Sequence, residues 1–77
     1  MIELHLGGHL AFYAPQKKSS FSIPIDQPTE LDVILHQLGI PLAEVAIVAV
    51  NGELVNLATT RVNPGDRIEL YPPMGGG

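Results

Sequence analysis

The run Tyr71-Pro72-Pro73-Met74-Gly75-Gly76-Gly77 is the part of the chain whose residue types could do chemistry. Three consecutive glycines bury nothing, and each loses more conformational freedom on ordering than any other residue. Such a segment gains little from folding, so its use lies in what it can enter. Without Cβ atoms it is thin enough to thread a narrow channel and present the carboxylate of Gly77 to another protein's active site. Gly75 and Gly76 are the candidate threading residues, where any side chain would crowd such a channel. The reach is at most ~3.3–3.6 Å per residue, so Gly75 to Gly77 extends about 10 Å beyond Met74. Pro72-Pro73 favours an extended path and lowers the entropy lost on threading. Tyr71, Pro72, Pro73 and Met74 are the candidate docking residues. Taken alone, the glycines read equally well as a frayed end, since termini are usually disordered.

No other set of residues offers a mechanism. His5, His9 and His36 contain no i, i+4 pair, and surface or half-buried histidines are the default. Ser19, Ser20 and Ser22 lie in no nucleophile-elbow context. Gly7-Gly8 precedes no Gly-Lys-Ser/Thr, so it is not a phosphate loop. Lys17-Lys18 reads as a solvated loop tip, with a conjugation acceptor as the alternative. The chain has no cysteine, which rules out disulfides, Cys-ligated zinc, iron–sulfur clusters and a thiol nucleophile. No catalytic residue, metal site or bound cofactor is assigned. Eight acids against four bases give a net charge of −4. That argues against nucleic acid and suits a basic partner surface. Met1 to Leu6 lacks a basic start followed by an apolar run, and no stretch approaches the ~20 apolar residues of a membrane span. The expectation is a soluble cytoplasmic protein.

The elements that must position the tail follow from periodicity. Ile2, Leu4 and Leu6 alternate with Glu3 and His5, as in a strand with one buried face. Gly7-Gly8 breaks it, residues 9–20 form a mixed stretch containing Phe12, Tyr13 and Pro15, and its polar run Gln16 to Ser20 reads as a loop with a solvated tip. Phe21, Ile23 and Ile25 alternate again, with Pro24 pointing to a sheet edge or strand end. Thr29 is the expected N-cap of the single helix, with Asp32 in its first turn. Leu31, Ile34, Leu35 and Leu38 form its apolar stripe, Gly39 its stop, and Pro41 prevents continuation. Val45 to Val50 reads as a strand buried on both faces or nearly so. Asn51-Gly52 is a hairpin turn, Glu53 to Val55 the return strand, and 56–62 irregular with Leu57 as anchor. Asn63-Pro64-Gly65-Asp66 is a turn, and Arg67 to Tyr71 the last strand. One helix across a mixed sheet of four to five strands is an α+β, β-grasp (ubiquitin-like) fold. It spans residues 1–73, with 74–77 as a flexible tail, and its first and last strands lie parallel at the sheet centre. Tyr71, Met74, Phe12, Tyr13 and Leu57 are candidates for an apolar patch beside the tail, with Tyr71 the foremost; for Phe12 and Tyr13 the favoured alternative is anchoring of the loop against the core.

The chain resembles the ubiquitin-like sulfur carriers of the MoaD/ThiS group. The resemblance rests on Leu38-Gly39-Ile40-Pro41, Val50-Asn51-Gly52, Pro64-Gly65-Asp66-Arg67-Ile68 and Tyr71-Pro72-Pro73 ahead of the glycines. It implies a carrier rather than an enzyme. A ubiquitin-activating-type enzyme would use ATP to adenylate the terminal carboxylate, here Gly77, which is then converted to a thiocarboxylate. A carboxylate is a poor acyl donor because its leaving group would be oxide, and adenylation supplies a better one. The sulfur would pass to a synthase building molybdopterin (or tungstopterin) or the thiamin thiazole. Tyr71-Pro72-Pro73-Met74 is similar to MoaD-like tails and the third glycine to ThiS-like ones. A ubiquitin-like modifier and a non-covalent β-grasp interaction module are the alternatives.

Overall fold

The computed structural model describes residues 1–73. In chain order the elements are β1 (Ile2–Leu6), 3-10 turns at Gly8–Tyr13 and Pro15–Lys17, β2 (Ser20–Ile23), β3 (Thr29–Glu30) and α1 (Leu31–Leu38). A 3-10 turn at Leu42–Glu44, β4 (Ile47–Val50), β5 (Glu53–Val55), a 3-10 turn at Leu57–Thr59, β6 (Arg61–Val62) and β7 (Arg67–Tyr71) complete them. Five strands form the main sheet in the order β2-β1-β7-β4-β5. β1 and β7 are parallel, and the other pairs in that sheet are antiparallel. This is the β-grasp arrangement, with β2 at an edge and ending just before Pro24.

Strand alternation decides which face is covered. Ile2, Leu4 and Leu6 of β1, Ile68 and Leu70 of β7, and Val48 of β4 join one buried cluster with Leu31, Ile34 and Leu35 of α1. Fully burying such a side chain contributes about 1.5–3 kcal/mol. An eight-residue helix is marginal alone and persists because its stripe lies on the sheet. Its C-terminus is closed by Gly39 at φ 79°. The Gly39 N–H donates to His36 O at 3.1 Å and the Ile40 N–H to Leu35 O at 3.0 Å, while the Ile40 side chain is buried. This is a Schellman stop with its apolar contact.

Three expectations are corrected. Thr29 is not the N-cap: it pairs with Val62 in β3, its hydroxyl donates to Gln27 O, and Glu30 holds the cap position without a side-chain bond. Residues 56–62 are not wholly irregular, because β6 pairs with β3 in a second, two-stranded sheet. Two-residue strands are too short for alternation to register. Finally, β4 is not buried on both faces, since α1 covers only one: Ile47 is 38% exposed. The mixed stretch before β2 is organised by two 3-10 turns, the second of which enters the expected loop.

The two predicted turns form and lock together. Asn51 and Gly52 adopt φ 52° and 85°, and Gly65 adopts φ 95°. The Asn51 amide donates to Asp66 Oδ1 at 2.9 Å, and its carbonyl oxygen accepts from the Arg67 N–H at 2.9 Å. Gln16 and Lys17, by contrast, take φ 56° and 54° without being glycine or asparagine. Each left-handed residue of this kind costs about 1–2 kcal/mol. The double change Gln16→Asn/Lys17→Gly is expected to raise stability by about 1 kcal/mol. Gly39→Ala, with open space around it, is expected to lower it by about 1 kcal/mol through backbone strain alone. Urea unfolding midpoints check both.

Candidate functional site

The chain leaves the fold at the end of its central strand. Leu70 O accepts from the Gly7 N–H at 2.8 Å, and Tyr71 O accepts from the Ala46 N–H at 2.9 Å. The backbone is therefore held on both flanks as far as Tyr71. Pro72 and Pro73 have no N–H to continue the ladder. Pro72 is half-buried and Pro73 exposed. Met74, an expected docking residue, and Gly75, Gly76 and Gly77, the expected threading and activation residues, lie outside the described residues.

Tyr71 lies on the face that α1 leaves open, opposite Ile47 in the β4–β7 pairing. Its half-buried ring lies 6.4 Å from that of His5. The hydroxyl donates to Glu69 Oε2 at 3.0 Å. That bond raises the phenol's pKa above its ordinary value of 10.0, assisted by desolvation and the Glu69 charge and opposed by Arg67. The fold thus favours the neutral phenol. Its stabilising effect is present below the ordinary tyrosine pKa and is lost as pH rises through the folded value.

Around Tyr71 the open face divides in two. On the β4–β5 side Ile47, Ala49 and Leu54 share the face, with Ala49 opposite Leu54 and Leu54 74% exposed. On the β1–β2 side Glu3, His5, Ser20, Ser22, Arg67 and Glu69 border a shallow depression of about 470 Å³. His5 Nδ1 and Ser20 Oγ lie 2.9 Å apart there. An apolar half beside an acidic, hydrogen-bonding half is a surface that a partner can both bury and orient on.

The anticipated patch is only partly assembled. Leu57 packs against the core in a turn beside α1, and Tyr13 is half-buried with its hydroxyl 3.3 Å from Glu44 Oε1. Phe12 is 67% exposed, with Lys17 Nζ 4.6 Å from its ring centre. The exposure of Ile47 and Leu54 was not anticipated. For Ile47 the alternation of β4 is hidden by the uniform apolarity of Val45 to Val50. His9 Nε2 lies 3.2 Å from Glu44 Oε1 and ties the turn after β1 to the turn before β4. Among the described residues no cluster of three or more His, Asp or Glu could hold a metal ion. No helix among them is long and apolar enough to cross a membrane.

A mixed sheet under one helix, with its central strand running out at Tyr71-Pro72-Pro73, defines a ubiquitin-like β-grasp protein. The model of the ThiS family matches residues 10–77. The chain belongs to that family, within the MoaD/ThiS group of ubiquitin-like sulfur carriers. Among solved structures it is similar to a chain of the complex of subunits 1 and 2 of molybdopterin-converting factor from Helicobacter pylori 26695. The two are 29% identical over 99% of this chain and 97% of that chain, with a TM-score of 0.64. No curated protein matches the sequence significantly.

Phenolate absorption followed in a Tyr13→Phe background isolates Tyr71. Its ionisation is expected above that of an ordinary tyrosine, and Glu69→Ala is expected to move the midpoint back down. An unshifted midpoint in both proteins contradicts the Glu69 hydrogen bond.

Proposed function

We propose that the chain is a sulfur carrier acting at the Gly77 carboxylate. A ubiquitin-activating-type enzyme docks on the open sheet face and receives the tail. A carboxylate oxygen attacks the α-phosphorus of ATP, pyrophosphate leaves, and an acyl-adenylate forms. A sulfur nucleophile then displaces AMP, and the resulting thiocarboxylate gives its sulfur to a synthase building molybdopterin (or tungstopterin) or the thiamin thiazole. The carrier holds no cofactor of its own, since ATP is used by the activating partner in the cytoplasm. It works as a small non-catalytic subunit: its residues dock, orient and extend the reacting group.

The observation that carries this reading is the way β7 ends. The central strand of the sheet delivers the chain at Tyr71 straight into two prolines, beside an exposed apolar surface. Membership of the ThiS family supports the chemistry. The likeness to a molybdopterin-converting factor complex supports a synthase subunit as the sulfur-accepting partner.

Incubation with ATP, a sulfur donor and an activating enzyme, followed by intact mass measurement, tests the proposal. The expected gain is that of one oxygen replaced by one sulfur. An unchanged mass with a competent enzyme contradicts it, and adducts to lysines of other proteins favour a modifier. Removing Gly76 and Gly77 is expected to abolish the gain while the thermal midpoint stays put, because the core lies within residues 2–70. Leu54→Asp is expected to weaken binding to the activating enzyme at least about tenfold. With Leu54 74% exposed, its effect on stability should stay within about 0.5 kcal/mol. Titration calorimetry and urea unfolding read the two quantities.

A further inference from the structure

The glycine pair that ends β1 is accounted for neither by the sulfur chemistry nor by a phosphate loop. Its geometry differs from that of the other described glycines. Gly39, Gly52 and Gly65 have positive φ and nothing within 4 Å of where a Cβ would stand. Backbone conformation alone explains them. Gly7 is the reverse case: at φ −83° and ψ 163° it is extended, a conformation open to any residue. What it lacks is room. A Cβ there would overlap Tyr71 Cδ1 and stand 2.8 Å from Tyr71 Cε1. Gly8 combines both constraints, with φ 53° and a would-be Cβ 2.7 Å from Pro72 Cγ and 3.2 Å from Pro72 Cδ.

Two consecutive glycines therefore receive the rings of two consecutive residues at the point where the tail departs. Neither ring has an easy retreat. The Tyr71 hydroxyl is bonded to Glu69, and the Pro72 ring fixes its own φ. The backbone on both sides is pinned by the Gly7 N–H on Leu70 O and the Ala46 N–H on Tyr71 O. A methyl group added at Gly7 or Gly8 requires the Tyr71 or Pro72 ring, or the backbone that carries it, to shift.

We infer that Gly7 and Gly8 are positioning residues: a side-chain-free cradle that seats Tyr71 and Pro72 and sets the direction in which the tail leaves the domain. The inference rests on the sulfur-carrier reading and adds residues at the opposite end of the chain to its machinery. Misplacing a reacting group by about 1 Å can cost roughly 100-fold in rate. A carrier whose last residues enter a narrow channel is exposed to that penalty.

The test compares the full chain with Gly7→Ala, Gly8→Ala and Gly65→Ala, the last adding positive-φ strain without a clash. Thiocarboxylate formation is measured with ATP, a sulfur donor and the activating enzyme, over a range of carrier concentrations. Gly7→Ala and Gly8→Ala are expected to lower kcat by roughly 10-fold to 100-fold. KM is expected to change much less than kcat, since Ile47 and Leu54 of the docking face are untouched. Gly65→Ala should leave both constants near those of the unaltered chain. Flexible glycines inserted between Pro73 and Met74 should restore much of the Gly8→Ala rate, which a purely destabilising change would not permit. Equal kcat in all four proteins, or no rescue by the insertion, overturns the inference. So does the absence, in the free unaltered chain, of nuclear Overhauser contacts from the Gly7 and Gly8 α-protons to the Tyr71 and Pro72 rings. Those contacts are read without any enzyme, so they test the cradle separately. Failure of the unaltered chain to acquire sulfur overturns the carrier reading instead.

Discussion

The parallel pairing of β1 with β7 is the constraint on which the rest depends. Glu3 to Leu6 align with Arg67 to Leu70, residues about as far apart in sequence as the chain allows. The pairing places Ile2, Leu4, Leu6, Ile68 and Leu70 side by side beneath α1. It also sends β7 out of the sheet at the point where β1 turns away at Gly7-Gly8. Closing so long a loop is entropically costly, and the buried aliphatic layer with its helix must offset that cost. The position of the tail's exit is thus a consequence of the core rather than a separate feature.

The same pairing explains the division of labour between the two sheet faces. α1 covers one face completely enough that no polar or charged residue is buried among the described residues. Among the described residues no α-helix covers the other face, and there the alternation places Tyr71, Ile47 and Leu54 next to Glu3, His5 and Glu69. A carrier of the proposed kind can use a whole sheet face for recognition. On that reading its contribution to a reaction is geometric: a held strand end, a surface to be docked, and a carboxylate delivered by reach.

Much of this was legible in residue order. The apolar stripe of α1, its Gly39 stop, the Asn51-Gly52 and Pro64-Gly65 turns and the order of the five main strands all follow from periodicity and turn chemistry. The failures have physical reasons. β3 and β6 are two residues each and carry no period, so Thr29 looked like a cap when it was a strand residue. In β4 the run Val-Ala-Ile-Val-Ala-Val hides which side chains face outward, because exposure is set by which face the helix covers. Gly7 and Gly8 registered only as a strand break. Their partners Tyr71 and Pro72 lie far away along the chain, and no local pattern reports a close approach across that distance.

The central claim is that the reacting group is the Gly77 carboxylate and that every other residue serves to present it. Tryptic cleavage of the sulfur-loaded chain after Arg67 releases the fragment Ile68 to Gly77, and tandem mass spectrometry locates the added sulfur within it. The account predicts all of the sulfur on Gly77, in place of one carboxylate oxygen. Sulfur on any other residue, or a loaded chain whose 68–77 fragment has unchanged mass, would contradict it.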